Sequence, residues 1–361
     1  MALLEYKCPN CGGGIQFNPG TRELLCPYCE AVMDVEALKA MDEDMSRDHA
    51  SEAIDWGYQG SGWGAGEQQG MAVYSCQSCS GEIIGDETLG STTCPFCDNP
   101  IVITSKFAGT LRPDMILPFK LGKDHALSSL EKHYLGKRLL PAVFKTRNHM
   151  DEVKGVYVPF WLYSADADAH VQYRATKVRR WSDRNYDYTE TSTFRIIRDG
   201  GIGFDNVPAD GSRAIDDTLM ESIEPFNVTE AAAFHPAYMA GYFANKYDVT
   251  AEECAGRAND RIRNSTEAAF KSTVVGYNTV VPEYTNIRLI SGGVRYALLP
   301  VWLLGTTWQN KSFLFAMNGQ TGKFVGDLPL DKAAYRAWLL KIFGIVAGAL
   351  LLISQVIISF L

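Results

Sequence analysis

The amino-terminal segment has neither the basic n-region nor the apolar h-region of a secretory signal peptide, since residues 1–7 read MALLEYK. Cysteine is also scarce outside one spacing, because eight of the nine cysteines lie in Cys-x-x-Cys pairs and only Cys254 stands apart. Paired thiols without an export signal are typical of the reducing cytosol. The chain has no Walker A motif, which argues against a P-loop ATPase.

The composition is that of a globular protein with an uneven distribution of charge. The 361 residues are 46% hydrophobic and 21% charged, which allows two or three domains. Residues 1–110 hold five Lys and Arg against sixteen Asp and Glu, a net charge of −11, whereas the remainder holds 29 against 26. Because nucleic-acid affinity depends on Lys and Arg at phosphates, the acidic half disfavours nucleic acid as a partner.

The four Cys-x-x-Cys pairs form two matched sets that predict two zinc ribbons. Fourteen residues separate the two pairs within each set, and the second set repeats the first with a shift of 68. One pair in a tight turn supplies two ligands and a hairpin returns two more, so each set closes a tetrahedral site. We therefore expect two structural Zn²⁺ ions. The predicted ligands are Cys8, Cys11, Cys26 and Cys29 in ribbon 1, and Cys76, Cys79, Cys94 and Cys97 in ribbon 2.

Two other interpretations of the cysteines are open. A Cys-x-x-Cys pair can be a thioredoxin-like redox centre, although that chemistry needs one pair on a βαβ frame and not four pairs in matched sets. Iron in a rubredoxin-like site has the same four thiolate ligands, and only metal analysis distinguishes it from zinc. Cys254 is expected to be a buried thiol.

The last twenty residues, 342–361, carry no charged side chain. Such a run makes about 30 Å of helix, the thickness of a bilayer core, and predicts a transmembrane helix over residues 338–361. Lys332, Arg336 and Lys341 precede the run, so the amino-terminal region should stay cytosolic in a tail-anchored, single-pass protein of the inner membrane. A buried helix of a soluble domain is the alternative. Residues 344–348 match G-x-x-x-G, a pattern that allows homo-oligomers.

The region between the ribbons and the helix predicts an α+β fold with mainly antiparallel sheet. Helices are expected near residues 123–136 and 250–270, and a hairpin near 313–325. The segments YVPFWLY and LLPVWLL recur at an offset of 141, which indicates a duplicated unit. The expected domains are ribbon 1 at 1–32, an acidic and Gly-rich linker at 33–71, ribbon 2 at 72–105 and an α+β domain at 106–335, with halves near 106–210 and 211–335. Trp56 and Trp63 in the linker either contact a partner or pack on a ribbon, and packing is the favoured expectation.

Three further patterns are candidate sites. Asp166, Asp168 and His170 alternate, so on a strand they share one face that can hold a metal or perform acid–base catalysis. A solvent-facing strand gives the same pattern, and no nucleophile accompanies it, so a non-enzymatic protein is expected. Residues 319–323 resemble a phosphate loop but form a turn, because Phe324 follows the lysine. A basic and aromatic stretch at 174–198 can bind anionic lipid or nucleic acid, or be a charged sheet face; its candidate residues are Arg174, Lys177, Arg179, Arg180 and Arg184.

The paired ribbons, YVPFWLY, LLPVWLL, the stretch FAMNGQTGKFVGDLP and the terminal apolar helix together resemble bacterial membrane-anchored TFIIB-type zinc-ribbon proteins. Members often carry names taken from the primosomal replication-restart helicase, but this chain lacks helicase motifs. The resemblance implies a membrane adaptor that acts with PspA-like and SPFH (flotillin-like) proteins in envelope stress. A membrane-tethered nucleic-acid-binding protein is the alternative function.

Overall fold

The computed structural model describes residues 15–18, 20, 23–27, 32–33, 54, 56–58, 60, 62–64, 66–86, 93–106, 111–145, 152–309 and 311–360. The chain forms two compact units. Unit 1 comprises Met1–Asp55, Ser164–Asp205 and Asn259–Gly292, and unit 2 comprises Trp56–Tyr163, Asn206–Ala258 and Gly293–Leu361. Three long strands and one helix contribute residues to both units.

Unit 1 begins with a small antiparallel sheet in the predicted ribbon 1. Its strands are β1 (Gln16–Asn18), β2 (Glu23–Leu25) and β3 (Val32–Met33), in the order β1-β2-β3. Leu25 lies opposite Gln16 on one neighbour and opposite Val32 on the other. Strands β1 and β2 thus form a hairpin between the positions of the two predicted cysteine pairs of ribbon 1.

The larger sheet has eleven strands. The strands are β4 (Met71–Ser75), β5 (Glu82–Asp86), β6 (Val102–Lys106), β7 (Met115–Ile116), β8 (Lys154–Ser182), β9 (Asp187–Asp210), β10 (Ala232–Ala233), β11 (Phe243–Asn245), β12 (Thr279–Trp308), β13 (Lys311–Asn318) and β14 (Phe324–Gly326). Along the sheet they run in the order β10-β7-β12-β8-β11-β5-β4-β6. In addition, β9 pairs with β8, β13 pairs with β12 and β14 pairs with β13.

The α+β class is confirmed, but the expectation of a mainly antiparallel sheet is wrong, because the sheet is mixed. Strand β11 pairs with β8 in parallel, and β7 pairs with β12 in parallel. Both pairings join strands that are far apart in the chain, and a two-residue or three-residue strand has too few residues to reveal its direction. Parallel neighbours need crossover connections, which local periodicity does not encode.

Among the described residues, the α-helices are α1 (Lys123–Tyr134), α2 (Asp217–Ser222), α3 (Ala251–Ser272) and α4 (Lys332–Phe360). The two helices expected in the central region are present as α1 and α3. Helix α3 begins with a capping box, because the Thr250 N–H donates to the Glu253 carboxylate at 2.8 Å and the Glu253 N–H donates to the Thr250 hydroxyl at 3.3 Å. The expected hairpin is β13 and β14, closed by the Gly322 N–H on the Asn318 carbonyl at 2.9 Å.

The core of unit 2 lies on both faces of β8 and β12. Val156 and Val158 of β8 share one cluster with Leu299 and Val301 of β12, while Trp302 of β12 joins a second cluster on helix α1. A strand that is buried on both faces loses the alternation of polar and apolar residues. This explains why the two proline-containing segments are continuously apolar.

The linker tryptophans pack within the chain. Trp56 is 5% exposed and its ring lies edge-on to Tyr163, with 5.0 Å between the ring centroids. Trp63 lies edge-on to Phe234 at 5.6 Å. Both tryptophan rings therefore contact residues outside the two predicted ribbons.

Helix α4 is long and apolar enough to cross a membrane, consistent with single-pass anchoring. Within it the 19 residues Lys332–Leu350 form a candidate span of which 0% is buried. A core helix of a soluble domain of this size would bury an apolar face, so the exposed leucines and isoleucines favour a bilayer as its environment.

Candidate metal centre

The second cysteine set forms two knuckles of the same geometry in unit 2. In the first knuckle the Cys76 N–H donates to the Gly81 carbonyl at 3.0 Å, and the Ser80 N–H donates to the Cys76 carbonyl at 2.8 Å. The residue after the second cysteine has a positive φ, 59° at Ser80. This left-handed residue reverses the chain so that both sulfurs point to one side. In the second knuckle the Cys94 N–H donates to the Asn99 carbonyl at 2.7 Å, and the Asp98 N–H donates to the Cys94 carbonyl at 2.9 Å. The positive φ is 62° at Asp98.

The four sulfur atoms come together as a metal-binding set. All four Sγ atoms lie within 4.8 Å of one another, with 3.5 Å between Cys76 and Cys97 and 3.6 Å between Cys79 and Cys94. Four sulfurs that each lie at about 2.3 Å from one zinc ion in a tetrahedron would be about 3.8 Å apart. The thiols therefore fit a tetrahedral metal ion, and Cys76, Cys79, Cys94 and Cys97 would hold it.

Burial disfavours thiolate charge at this site unless a bound cation balances it. Desolvation raises the pKa of Cys94 and raises that of Cys79 to about 11. Desolvation also opposes ionisation of Cys97, but hydrogen bonds from Asn99 and the neighbouring thiols outweigh it and lower its pKa to about 7. The Asn99 amide donates to the Cys97 sulfur at 3.4 Å. A divalent cation would stabilise all four thiolates, and four protein ligands leave no open position for catalysis.

A lysine that the sequence analysis did not single out lies beside this centre. The Lys154 ammonium donates to the Thr93 carbonyl at 2.7 Å and lies 3.8 Å from the Asp98 carboxylate. Burial lowers its pKa, while Asp98 and the thiolates of Cys94 and Cys97 act in the opposite direction. Its charge partly balances a site that carries two negative charges when four thiolates hold a divalent ion. No spacing pattern in the sequence links Lys154 to the knuckles.

The second knuckle rests directly on strand β12. A Cβ atom added at Gly305 would lie 2.6 Å from the Phe96 carbonyl oxygen and 3.2 Å from the Cys97 nitrogen. Phe96 itself is 4% exposed and belongs to the same core cluster as Cys76, Cys94, Cys97 and Val156. The metal-binding knuckles are thus part of the core of unit 2, and glycine at 305 allows the close approach.

The first cysteine set is described only at Cys26, which is fully buried at 0% exposure. The predicted ligands Cys8, Cys11 and Cys29 lie outside the described residues. A possible metal-binding cysteine cluster is therefore shown for ribbon 2, and the zinc ion of ribbon 1 stays a prediction.

The basic stretch lies on β8, β9 and the turn between them in unit 1. Lys177 lies over the rings of Phe194 and Tyr277, at 5.7 and 5.1 Å from their centroids. Arg179 lies over Trp181, and Arg174 pairs with Glu283 at 2.9 Å. The cations are thus paired with aromatic rings and a carboxylate along the two strands; the exposed members of the candidate set also include Arg180 and Arg184.

The alternating acidic residues do not converge on one site. Asp166 accepts from the Ser291 hydroxyl at 2.9 Å, Asp168 pairs with Arg288 at 2.8 Å, and His170 contacts Asp199. Among the described residues, the one group of three or more metal-ligand atoms is the cysteine set of ribbon 2. The structure therefore gives the triplet separate partners in unit 1 and no common ligand.

Residues 318–323 form a turn, and Cys254 is a buried thiol with a hydrogen bond to the backbone. The Asn318 carboxamide accepts from the Gln320 and Thr321 N–H groups at 2.8 and 2.9 Å, which confirms a turn. Cys254 is buried at 0% exposure, and its thiol donates to the Asp210 carbonyl at 3.4 Å.

The fold and the site define an α+β protein with a cluster of four cysteines that could bind a metal ion and an apolar carboxy-terminal helix. Over 354 residues the chain is 31% identical to the uncharacterized protein YdjG of Bacillus subtilis (strain 168), and the match covers 98% of each chain. The chain belongs to the family of that protein. No family model matches the sequence, and no solved structure matches it.

Proposed function

We propose that this protein is a non-enzymatic adaptor of the inner membrane whose cytosolic zinc ribbons bind protein partners. The proposal combines a closed cysteine site, which leaves no position for a substrate, with a helix suited to membrane anchoring. Following the family resemblance, the partner is an SPFH (flotillin-like) protein, acting with a PspA-like protein in an envelope-stress system.

The observation that carries the proposal is an apolar pair exposed on the ribbon 1 sheet. Leu25 and Val32 face each other across β2 and β3, and they are 40% and 57% exposed. A cross-strand pair of this kind normally packs on other side chains. Exposed apolar clusters on rigid elements are typical of protein-binding surfaces.

Charge supports a protein partner over nucleic acid for the ribbons. The net charge of −11 over residues 1–110 repels phosphate, whereas it is compatible with a basic protein surface. An apolar pair within an acidic region gives both a desolvated centre and a polar rim, the usual anatomy of a specific interface.

The experiment is a co-purification from detergent-solubilised membranes with the tagged full chain. The double variant L25S/V32S should lose the SPFH-type partner, identified by mass spectrometry, while it keeps its zinc. The variant F17S serves as the matched control, because Phe17 is also exposed on this sheet, at 54%, but pairs opposite Leu24 in a different row. Equal recovery of the partner with L25S/V32S and with the unchanged protein would contradict docking through this pair.

A membrane-tethered nucleic-acid-binding protein is the second candidate, favoured by one observation in unit 1. Trp181 and Tyr188 stack with 5.4 Å between ring centroids and 11° between planes, next to Arg179. Exposed aromatics among cations are a common platform for single strands. Binding of single-stranded oligonucleotides by the full chain should then weaken steeply with salt, and no binding at low salt would eliminate this candidate.

A further inference from the structure

A cleft in unit 2 opens beside the first turns of helix α4. It has a volume of about 410 Å³ and is lined by residues 136–140, which follow α1, by residues 328–330 and by Trp338. We refer to it as the juxtamembrane cleft. Its volume falls within the range of about 300–1,000 Å³ that is usual for small-molecule sites.

The wall of the cleft is attached to the start of the helix. The Asp331 N–H donates to the Leu139 carbonyl at 2.9 Å. The Asp331 carboxylate caps α4, because it accepts from the Ala333 and Ala334 N–H groups at 2.8 and 3.2 Å. The segment at 136–140 is therefore held at a fixed place relative to the first turn of α4.

The position of the cleft along α4 corresponds to the headgroup region of a membrane. Trp338 lines the cleft and is 41% exposed, and Lys341, one turn later, is the last charged residue before the apolar run. Tryptophan and lysine at the end of a membrane-spanning segment are typical of the boundary between hydrocarbon and water. The cleft thus faces lipid headgroups if α4 spans the bilayer.

The lining combines apolar side chains with positive charge. Leu139, Leu140, Leu328 and Leu330 supply an apolar floor, and Leu330 is 49% exposed. Lys137 and Arg138 are exposed at the same cleft. Of the residues that line the cleft, two are basic and none is acidic, although Asp331 follows Leu330 directly. The lining itself therefore carries positive charge in a chain whose net charge is −8.

We infer that the juxtamembrane cleft binds one anionic glycerophospholipid of the surrounding membrane. Lys137 and Arg138 contact the phosphate, and the upper part of one acyl chain lies along Leu139, Leu330 and Trp338. An anionic headgroup attached to an apolar chain matches both halves of the lining, which neither a free anion nor a neutral apolar ligand does. The inference rests on membrane insertion of α4 and is independent of docking by the ribbons.

The test is native mass spectrometry of the full chain in neutral detergent, with dioleoyl phosphatidylglycerol and dioleoyl phosphatidylcholine added at equal concentration. The unchanged protein should retain one phosphatidylglycerol in preference to phosphatidylcholine. The variant K137A/R138A should bind phosphatidylglycerol about 30-fold more weakly, since each basic residue contributes about 1 kcal/mol at an anionic surface. The variant L330W, which narrows the cleft without a change of charge, should also bind the lipid more weakly.

The control R213A/K271A removes the same charge at two exposed residues outside the cleft lining and should retain phosphatidylglycerol like the unchanged protein. The inference is overturned if the two lipids are retained equally, if L330W binds phosphatidylglycerol as tightly as the unchanged protein, or if R213A/K271A weakens binding as much as K137A/R138A. Carbonate extraction of membranes tests the insertion of α4 separately, and the docking variant L25S/V32S should leave lipid retention unchanged. Failure of ribbon docking and failure of lipid binding thus give different results.

Discussion

Replacement of Gly305 by alanine should weaken metal binding by the cysteines of ribbon 2, although Gly305 itself binds no metal. The added methyl would lie 2.6 Å from the Phe96 carbonyl oxygen and 2.8 Å from its carbonyl carbon, whereas ordinary contact begins at 3.4 Å. The added methyl meets backbone atoms of Phe96 and Cys97, so rotation of a side chain cannot relieve the contact. The second knuckle must therefore move by about 0.8 Å, the shortfall from 3.4 Å, and Cys97 moves with it.

The magnitude follows from two opposing effects. Overpacking in a core lowers the free energy of unfolding by about 1–3 kcal/mol. Replacement of glycine by alanine raises it by about 0.4–1 kcal/mol, because the unfolded chain has less conformational freedom. The net loss in free energy of unfolding is about 1–2 kcal/mol, which corresponds to a fall of about 2–8 °C in melting temperature for a unit of this size. Release of the metal to a colorimetric chelator should also become faster, because the sulfur of Cys97 leaves its optimal position.

The matched control is Gly293→Ala, the same substitution in the same strand at a position with nothing within 4 Å of the added methyl. Both variants are compared as the full chain in detergent, by thermal unfolding and by the rate of metal release. If Gly305→Ala unfolds and releases metal like Gly293→Ala, the knuckle does not rest on β12 as described, and the reasoning is refuted.

Three further outcomes are expected. Removal of the metal by a chelator under reducing conditions should lower the melting temperature of unit 2 as a whole, because three of the four cysteines belong to its core cluster; a separate small calorimetric transition would contradict this. Ser80→Gly should raise the free energy of unfolding by about 1 kcal/mol in urea titrations, because φ is 59° there; no gain would disprove the strain. Burial raises the pKa of Asp210 from 3.8 to about 6, because desolvation outweighs the opposite effect of the Arg257 cation. The stability that neutral Asp210 contributes is therefore complete below pH 3.8 and is lost as the pH rises through about 6. In the unchanged protein the free energy of unfolding should fall by about 2–3 kcal/mol over this pH range because of Asp210, and Asp210→Asn should abolish that fall. A variant with the same pH profile of stability as the unchanged protein would disprove the pKa shift.

The metal centre was the most predictable part of the molecule. A Cys-x-x-Cys pair has only a few ways to place two thiols on one side of a turn, so the spacing alone specified the knuckles. Capping at Thr250 and the turn at Asn318 were predictable for the same reason, because each is a local hydrogen-bond pattern. Apolar runs likewise predicted the α+β class and the terminal helix.

Long-range contacts were not predictable. The parallel pairing of β7 with β12 depends on where the chain returns after about 180 residues, from Ile116 to Leu298, and no periodicity records that return. Gly305 and Lys154 acquire their roles only because β12 and β8 pass under the second knuckle. A single glycine or lysine in a strand is too common a feature to indicate such a contact.

The integration of ribbon 2 into unit 2 determines how a docking function must be tested. Strand β5 of ribbon 2 pairs with β11, and the cysteines share a core cluster with Val156 and Leu299. Replacement of Cys76 by serine would therefore damage the core together with the metal site, and a lost partner would not show which of the two mattered. Leu25 and Val32 are exposed on a sheet that does not contribute to this core. Variants of that pair separate partner binding from metal binding, because their loss leaves both the ligands and the core of unit 2 in place.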